Sequence, residues 1–567
     1  MKVAFLRLCC FILLVTAGMT AYAYDFEADA IYYNILPGEG NAVEVTYDKG
    51  NDYSGDVVIP AEVSYKGVVY DVTNIGESAF ENCRSLISID MPSVTMIDNR
   101  AFFGCSSLTL AGIPIVTTIG DWAFGYCSSL VSVAMPLVAN IGETAFYDCD
   151  NLSFVDTPLL TSVGADAFSD CDNLTFVSMP SAITIGDGAF IFCNALTSVE
   201  MPSVTTIGDK AFYYCSALTS VSLPSATTIG DEAFFYCTAL SSVSLPSVMT
   251  IGERAFEDCI ALSSVSMLSI TTIGDYAFMD CSALTSVDIP ASCTFIGSYP
   301  FAGCIALKEI VVDENNPNYS SSDGAFYNKN KNILICWPAA EGGINLPLSV
   351  TKIGVGAFYN CSTLTSIEMP SVKTISNSAF GSCSALTSVE MPMVETISDG
   401  AFNACRALAS VSMPSVTTIG GSAFFMCGNL SKVDIPASVT MIGDYAFTAC
   451  SGLTSVYCHW EQPLECDPRF DEMVLTTATL YVPDGCADTY RSVYPWSEFA
   501  NIEEGGYSGI ADTPGSVLSV KVIDGVIFVE GGDGTASAPV VEVYSSGGLC
   551  IYRGTDSSIG GLPHGVY

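Results

Sequence analysis

A phenylalanine preceded by alanine returns every 22 residues along most of this chain. It stands at Phe80 and at each 22nd residue to Phe278, then resumes from Phe358 to Phe424 before Phe447 follows one residue late. Chance does not produce a period kept over so many copies, so the chain is built of repeated structural units. One unit is too short to bury its own apolar side chains, and stacking on neighbouring units is the way to form a core.

One repeat, read from Phe190, predicts its own local structure. Val199 and Met201 alternate with Ser198 and Glu200, which is the pattern of a short strand with its apolar side inward and its polar side outward. Strands of neighbouring repeats would pair with one another, because each is too short to form a stable sheet alone.

The remainder of the repeat predicts a second extended piece and a turn. Pro202 ends the first strand because proline cannot donate to a continuing ladder, and residues 204–207 form a second short extended segment. Gly208 permits a sharp turn, and Asp209 lies where it can cap a short helical turn that carries Phe212. The predicted fold is a solenoid superhelix of ~22-residue coils, mostly short β-strands with short helical turns.

Charge and histidine content exclude several functions. Asp and Glu number 60 against 19 Lys and Arg, for a net charge of −41, and such a surface repels nucleic acid. The only histidines are His459 and His564, too few for most histidine-based catalytic or zinc sites. Hydrolase, phosphate-binding and metalloprotease motifs do not occur in the sequence. We therefore expect no enzyme, no cofactor, no metal and no nucleic-acid partner.

The non-repetitive parts predict the remaining organisation. Residues 1–23 have the features of a signal peptide, with Lys2 and Arg7 before a short apolar run and a small-x-small cleavage site at 21–23. No later run is apolar enough to span a membrane, which predicts a secreted or cell-surface chain without membrane insertion after signal cleavage. The further predicted regions are an N-terminal β cap at 24–58, the repeat solenoid at 59–456 with a divergent insertion at 308–350, a C-terminal cap at 457–505, a linker at 506–515 and a small β domain at 516–567.

The recurring unit Ile-Gly-Asp-x-Ala-Phe-x-x-Cys-x-x-Leu-Thr-Ser-Val-x-Met-Pro-Ser-Val-Thr-Thr resembles the BspA-like leucine-rich repeat of bacterial surface proteins. The resemblance covers about residues 59–456, although here the cysteine precedes the strand instead of following it. It implies a leucine-rich-repeat superhelix and a secreted or surface protein that adheres to host matrix proteins. Residues 541–544 and 561–567 also resemble a sorting domain of the type IX secretion route. That domain would normally continue beyond Tyr567, so either the sequence is a piece of a longer one or the domain is incomplete.

Sixteen of the 24 cysteines stand three residues after the repeat phenylalanine, from Cys83 to Cys450. Disulfides or a metal would be the functional interpretation of such a series. Equivalent side chains in stacked coils run parallel and do not face each other, and no Cys-x-x-Cys pair suggests zinc. We expect a buried column of reduced thiols.

Aromatic residues give the sharpest candidate site. The two positions after the repeat phenylalanine are polar or small in most coils but aromatic or apolar in three consecutive coils, with rings at Phe192, Tyr213, Tyr214, Phe235 and Tyr236. We expect Phe192, Tyr214 and Tyr236 to stack at coil spacing and to contact a ligand, since exposed rings are strong interface anchors. The alternative is that these rings fold back and seal the outside of the coils.

The outward strand positions give a second candidate surface. It is mostly serine, as at Ser198, Ser220 and Ser242, with acids such as Glu200 beside it. A polar, repetitive face suits an extended or multivalent ligand, or it is simply a solvated sheet face. Trp337 is a further aromatic candidate, with a core position as its alternative.

These patterns predict a secreted or cell-surface macromolecule-binding protein, an adhesin that binds host or matrix proteins through its repeat surface. A polysaccharide-binding surface protein and a passive structural spacer without a ligand are the alternatives. The expected partner is an extracellular protein or glycan, and the oligomeric state is left open.

Overall fold

A computed structural model describes residues 24–47, 53–337 and 341–505 in full, together with the backbone of five strands between residues 519 and 559. The predicted signal peptide and the predicted linker at 506–515 lie outside the described residues. The predicted domain boundaries therefore stay predictions.

The repeats form the coils of a parallel β-solenoid with two strands in each regular coil. One strand lies on a surface that we call the serine face, which five sheets form in succession, and Ser198 on it pairs in register with Ser220 of the next coil. The other, usually two residues long, lies on the threonine face, which two sheets form, and there Thr206 pairs with Thr228. The register advances by one repeat at each step, which confirms the predicted solenoid and its coil length.

The strands of the serine face are Ser85–Asp90, Leu110–Gly112, Ser132–Val133, Phe154–Asp156, Phe176–Ser178, Ser198–Glu200, Ser220–Ser222, Ser242–Ser244, Ser264–Ser266, Ser286–Ile289, Glu309–Val312, Gly342–Asn345, Leu364–Glu368, Ser388–Glu390, Ser410–Ser412, Lys432–Ile435, Ser455–Cys458, Thr479–Val482 and Asn501–Glu504. The strands of the threonine face are Met96–Ile97, Thr118–Ile119, Asn140–Ile141, Ser162–Val163, Thr184–Ile185, Thr206–Ile207, Thr228–Ile229, Thr250–Ile251, Thr272–Ile273, Phe295–Ile296, Lys352–Ile353, Thr374–Ile375, Thr396–Ile397, Thr418–Ile419 and Met441–Ile442.

Strands outside the regular coils lie at the ends and in the insertion. At the N-terminal end they are Phe26–Ala28, Ile31–Ile35, Ala42–Thr46, Ser54–Val58, Glu62–Tyr65 and Val68–Ile75. In the insertion they are Tyr319–Ser322, Ala325–Asn328 and Ile333–Cys336. In the C-terminal stretch they are Ser519–Ile523, Val526–Glu530, Val541–Tyr544, Cys550–Gly554 and Ser558–Ile559.

The core is a stack of repeat phenylalanines with the thiol column beside it. Phe190 and Phe212 are fully buried, and their ring centroids are 5.2 Å apart with planes only 6° from parallel. Aromatic pairs in this arrangement add to the free energy that burial already contributes. Next to the rings, the Cys215 thiol donates to the carbonyl oxygen of Phe190 at 3.1 Å, so each coil is tied to the one before it.

The segment between the two strands differs from the expected helical turn. The residues two before and two after the repeat phenylalanine have positive φ, as in Lys210 at 56° and Tyr214 at 59°. A right-handed helix cannot continue through such residues, so the segment is a run of tight turns that we call the turn face. The helices that the structure does describe lie near the C-terminal end: Glu472–Thr477, Ala487–Tyr490 and the 3₁₀ turn Trp496–Glu498.

The recurring acid also has a different partner from the one predicted. The Asp209 carboxylate accepts a hydrogen bond from the backbone N–H of Asp231 in the next coil at 2.8 Å, and Asp187 does the same for Asp209 at 2.9 Å. The acid therefore caps the next coil rather than a helical turn of its own. Glycine is required at position 208 because the preceding coil packs closely against it. A Cβ there would lie 2.7 Å from the backbone of that coil.

The insertion divides the apolar core into two clusters, and Trp337 stands at the second one. Its backbone N–H donates to the carbonyl of Ala357 at 2.9 Å, as the repeat phenylalanines do with the next coil, and its ring lies 6.2 Å from that of Phe358. Trp337 is thus half-buried in place of a repeat phenylalanine, which supports the core interpretation of this residue.

Candidate binding surface on the turn face

One position of every coil projects from the turn face. We call the residues two after the repeat phenylalanine the +2 column, and its members from the coil of Phe124 to the coil of Phe278 are Tyr126, Asp148, Asp170, Phe192, Tyr214, Tyr236, Asp258 and Asp280. All eight have φ between 56° and 61°. The backbone N–H of each is held by the next coil, as in the 2.9 Å hydrogen bond from Phe192 to the carbonyl of Tyr213. The coil therefore fixes the backbone position and direction from which each of these side chains projects, and this holds for aromatic and acidic residues alike.

The five rings predicted from the sequence lie together, and we call them the aromatic ladder: Phe192, Tyr213, Tyr214, Phe235 and Tyr236. Tyr214 and Tyr236 stack with centroids 4.5 Å apart and planes 21° from parallel. Tyr213 and Phe235 stack at 5.0 Å and 12°. Phe192 is tilted by 53° against Tyr214 at 5.4 Å, so the expected stack of three is parallel in two members and tilted in the third.

The ladder is packed on itself and still open to solvent. Phe192 and Tyr236 are each 38% exposed, and the rings between them are half-buried. Rings held by their neighbours lose little further freedom when a partner arrives, which lowers the entropic cost of binding. Burial, together with the nearby Tyr214 and Glu232, raises the pKa of Tyr213. Its phenol is a hydrogen-bond donor at neutral pH, as an unshifted tyrosine would be.

A second aromatic cluster, which the sequence analysis missed, lies on the same face: Phe103, Trp122, Tyr126 and Tyr147. Phe103 meets Tyr126 edge to face at 5.3 Å, and Tyr147 lies 5.4 Å from Tyr126 and 5.5 Å from Trp122. Tyr126 is 40% exposed. Its members occupy three different columns of the repeat, so the cluster is visible in the sequence only when the repeats are aligned and neighbouring columns are compared.

The predicted residues of the serine face form a separate surface. Ser198, Ser220 and Ser242 follow one another in register, and Glu200 pairs with Ser222 beside them. Ser198 is half-buried and the others are exposed. These residues lie on the strands, whereas the aromatic ladder lies on the turns, so the structure does not unite the two predicted sets into one site.

The thiol column offers no reactive group. The described cysteines are free thiols, and most of them are fully buried. Burial raises the pKa of the Cys215 thiol well above its usual range, with a smaller contribution from Cys237. Because the thiolate is the nucleophile and the metal ligand, these side chains act as apolar packing groups.

Other chemistry is sparse on the described part of the chain. His459 contacts the Asp434 carboxylate at 2.6 Å, and within the described ranges no cluster of three or more His, Cys, Asp or Glu side chains is arranged to hold a metal ion. A cavity of about 200 Å³ lies beside Trp337 at the insertion, below the ~300 Å³ that small-molecule sites usually offer. Two larger and more open clefts also lie among the described residues: one of about 610 Å³ between Tyr299 and Asp444, and one of about 430 Å³ lined by Arg84, Phe103, Tyr126 and Asp148. None of these features lies at the aromatic ladder.

Comparison with known proteins assigns the chain to a family. The model of the BspA-type leucine-rich-repeat region matches in six copies, over residues 67–174, 95–219, 205–333 and 342–454. The chain belongs to the BspA-type leucine-rich-repeat family. Membership agrees with the solenoid fold, and nothing in it bears on the tail, whose resemblance to a type IX sorting domain stays a prediction.

Solved structures similar to this BspA-type chain come from several bacteria. A leucine-rich-repeat protein from Bacteroides ovatus is 28% identical, with a TM-score of 0.48 over 77% of this chain and 95% of that one. A leucine-rich cell-surface protein from Faecalibacterium prausnitzii is 24% identical, with a TM-score of 0.27 over 85% and 95% of the two chains. The pneumococcal vaccine antigen PcpA is 17% identical, with a TM-score of 0.30 over 85% and 98%.

No curated protein sequence matches this BspA-type chain. Among the helices that the structure describes, none has the length and the apolar character to cross a membrane.

Proposed function

We propose that this protein is a secreted or cell-surface adhesin that binds host or matrix proteins through the aromatic ladder of its turn face. Family membership supports the general class, because repeat solenoids of this type serve as extended interaction surfaces. The fold supplies many equivalent outward positions along one axis, which suits a long macromolecule better than a small molecule.

The observation that carries the proposal is that the fold does not require rings at these positions. The +2 column holds Ser382 at φ 61° and Ala404 at φ 57° in later coils, and the coil conformation there is the same. A ring that merely sealed the coil would be required in all of them. The aromatic ladder is therefore an addition confined to three coils, and exposed aromatic residues are the strongest anchors of protein interfaces.

Ring orientation favours a protein over a polysaccharide. Sugars stack on open ring faces, but in the pairs Tyr213–Phe235 and Tyr214–Tyr236 the rings cover each other's faces at 5.0 and 4.5 Å. The facing sides within each pair are therefore closed to a sugar, whereas ring edges and tyrosine phenol groups contact apolar and polar groups of a protein chain well. Polysaccharide capture and a passive spacer are therefore the alternatives that the experiment must separate.

We further propose that the protein is not an enzyme. Carboxylates are the only abundant catalytic side chains in its composition. Solenoids of this family act as scaffolds. The proposed action needs only surface contact.

The test is binding of the full-length protein to a printed array of extracellular matrix proteins and glycans at physiological salt. Three samples are compared: the unaltered chain, the ladder variant F192S/Y214S/Y236S and the serine-face variant S198A/S220A/S242A. The two variants change the same three coils on different faces, so each is the matched control for the other. Melting temperatures are recorded for all three samples.

We expect saturable binding to matrix proteins, a loss of at least tenfold in the ladder variant, and no change in the serine-face variant. The ladder variant should melt close to the unaltered chain, because serine already occupies this position in another coil. Signals on glycans alone would replace the adhesin proposal by polysaccharide capture. An array without signal would support the spacer.

A further inference from the structure

A long stretch of the solenoid contains no cationic side chain. Residues 101–209 include no Lys, Arg or His. The acids in the same stretch number eleven, and they are Asp121, Glu143, Asp148, Asp150, Asp156, Asp166, Asp170, Asp172, Asp187, Glu200 and Asp209. No cationic side chain within this stretch offsets the negative charge of its acids. The resulting electric field attracts cationic groups of other molecules.

The turn face concentrates this charge between the two aromatic surfaces. In the +2 column, Tyr126, Asp148, Asp170 and Phe192 follow one another in four consecutive coils. Tyr147 of the second aromatic cluster lies beside the carboxylate of Asp170. Burial and this carboxylate raise the pKa of Tyr147 to about 12. Rings and carboxylates thus form one continuous strip along the solenoid axis.

The carboxyl groups of this strip repel one another. Burial and the neighbouring Asp150 and Asp170 raise the pKa of Asp148. Burial and the neighbouring Asp170 and Asp187 raise the pKa of Asp166. A cation placed among these groups would relieve the repulsion and restore their ordinary ionisation.

Outside the stretch, some acids of the turn face have cations of their own, although Asp258 and Asp280 of the +2 column have no salt bridge within the described residues. Glu81 pairs with Arg100 at 2.6 Å on the N-terminal side. Glu257 pairs with Arg254 at 3.1 Å on the C-terminal side. No salt bridge reaches Asp148, Asp166 or Asp170 from any residue that the structure describes. Ser169 donates a hydrogen bond to Asp170 at 3.0 Å and Arg84 lines the same cleft as Asp148, but neither forms an ion pair with these carboxylates.

The protein itself shows how a cation lies on these rings. The guanidinium carbon of Arg100 lies 4.0 Å from the centre of the Phe103 ring, and the Arg254 guanidinium lies 4.6 Å from that of Tyr276. Attraction between a cation and a ring face is favourable even at exposed sites. In the second aromatic cluster Phe103 meets Tyr126 edge to face, and Arg100 covers the face of Phe103.

We propose that the strip from Phe103 to Tyr236 binds an extended segment of another protein that carries several lysine or arginine side chains. The rings at both ends hold its apolar and cationic groups, and Asp148, Asp166 and Asp170 pair with its charges between them. This inference rests on the proposed function and adds the chemistry of the partner. Across the strip, each coil advances by 5.0–5.4 Å between ring centroids. Six such steps make about 30 Å, the length of an extended peptide of roughly nine residues.

The experiment measures peptide binding to the full-length protein by fluorescence anisotropy. The probe is a labelled nonapeptide in which lysine alternates with threonine, and its control has glutamine in place of every lysine. The variant D148N/D166N/D170N removes the charge of the strip and keeps the shape of its side chains. The matched variant D156N/E200Q/D288N removes the same charge from the serine face.

We expect the lysine peptide to bind at least tenfold more tightly than the glutamine peptide, and the affinity to fall as salt is raised. The strip variant should lose tenfold or more of this affinity, and the serine-face variant less than twofold. Equal losses of affinity in the two variants would mean that the peptide responds only to the net charge of the protein and not to the strip. This outcome would overturn the proposal. Unchanged binding by the strip variant would overturn it as well.

The matrix array separates this inference from the proposed function. If the ladder variant loses matrix binding while the strip variant keeps it and the lysine peptide does not bind, the adhesin stands and the basic partner is wrong. If the unaltered chain binds no matrix protein, the proposed function itself has failed.

Discussion

At the scale of single residues, the repeat separates positions that the fold dictates from positions that it leaves free. Phe212 and Cys215 are fully buried and tied to neighbouring coils, and the 22-residue period was enough to predict both roles. At Tyr214 the fold dictates the backbone conformation and not the side chain, and the sequence did not predict its positive φ, because tyrosine and not glycine stands there. The free positions are the ones that can carry function.

The thiol column gives a prediction at this scale. Iodoacetamide applied to the native protein at pH 8 should label Cys486, which is only partly buried. It should spare Cys466, because burial and the neighbouring Asp467 raise the pKa of that thiol to about 12, and it should spare column cysteines such as Cys215. The reason is that burial holds the Cys215 thiol protonated and out of reach. Peptide mass spectrometry before and after denaturation measures the fraction of each cysteine that is alkylated. Column cysteines that stay unlabelled after denaturation without reductant would show disulfides and contradict this account.

At the scale of the coil, stacking overrides the local signals that the sequence offered. The Gly-Asp pair before each Ala-Phe reads as a turn and a helix cap, yet Gly208 makes room for the preceding coil and Asp209 bonds to the following one. Two residues with positive φ in each turn exclude a helix. The strands were predictable because alternation of burial is local, whereas these partners are 22 residues away in sequence.

The cap between coils is tested by two changes at one residue. Asp209→Asn should leave the urea midpoint nearly unchanged, because Asn99 in an earlier coil makes the equivalent bond to the backbone of Asp121 at 2.8 Å. Asp209→Ala should cost about 1 kcal/mol, the usual contribution of such a hydrogen bond. Equal destabilisation by both changes would mean that charge, and not the acceptor oxygen, holds the next coil.

At the scale of the whole molecule, function lies in how unlike coils are placed side by side. The aromatic ladder was predictable because its rings fall in the same two columns of three consecutive coils. The cluster around Trp122 was not, since its rings come from different columns and only the stacking brings them together. The strip between them became recognisable once the structure placed Asp148 and Asp170 in line with the rings.

The most direct test of the central claim is photo-crosslinking from the aromatic ladder to the matrix protein that gives the strongest array signal. p-Benzoylphenylalanine replaces Tyr214 in one sample and Ser220, on the serine face of the same coil, in the other. Binding through the turn face predicts a crosslinked product from position 214 and none from position 220. A product from position 220 alone would contradict the claim and move the binding surface to the serine face.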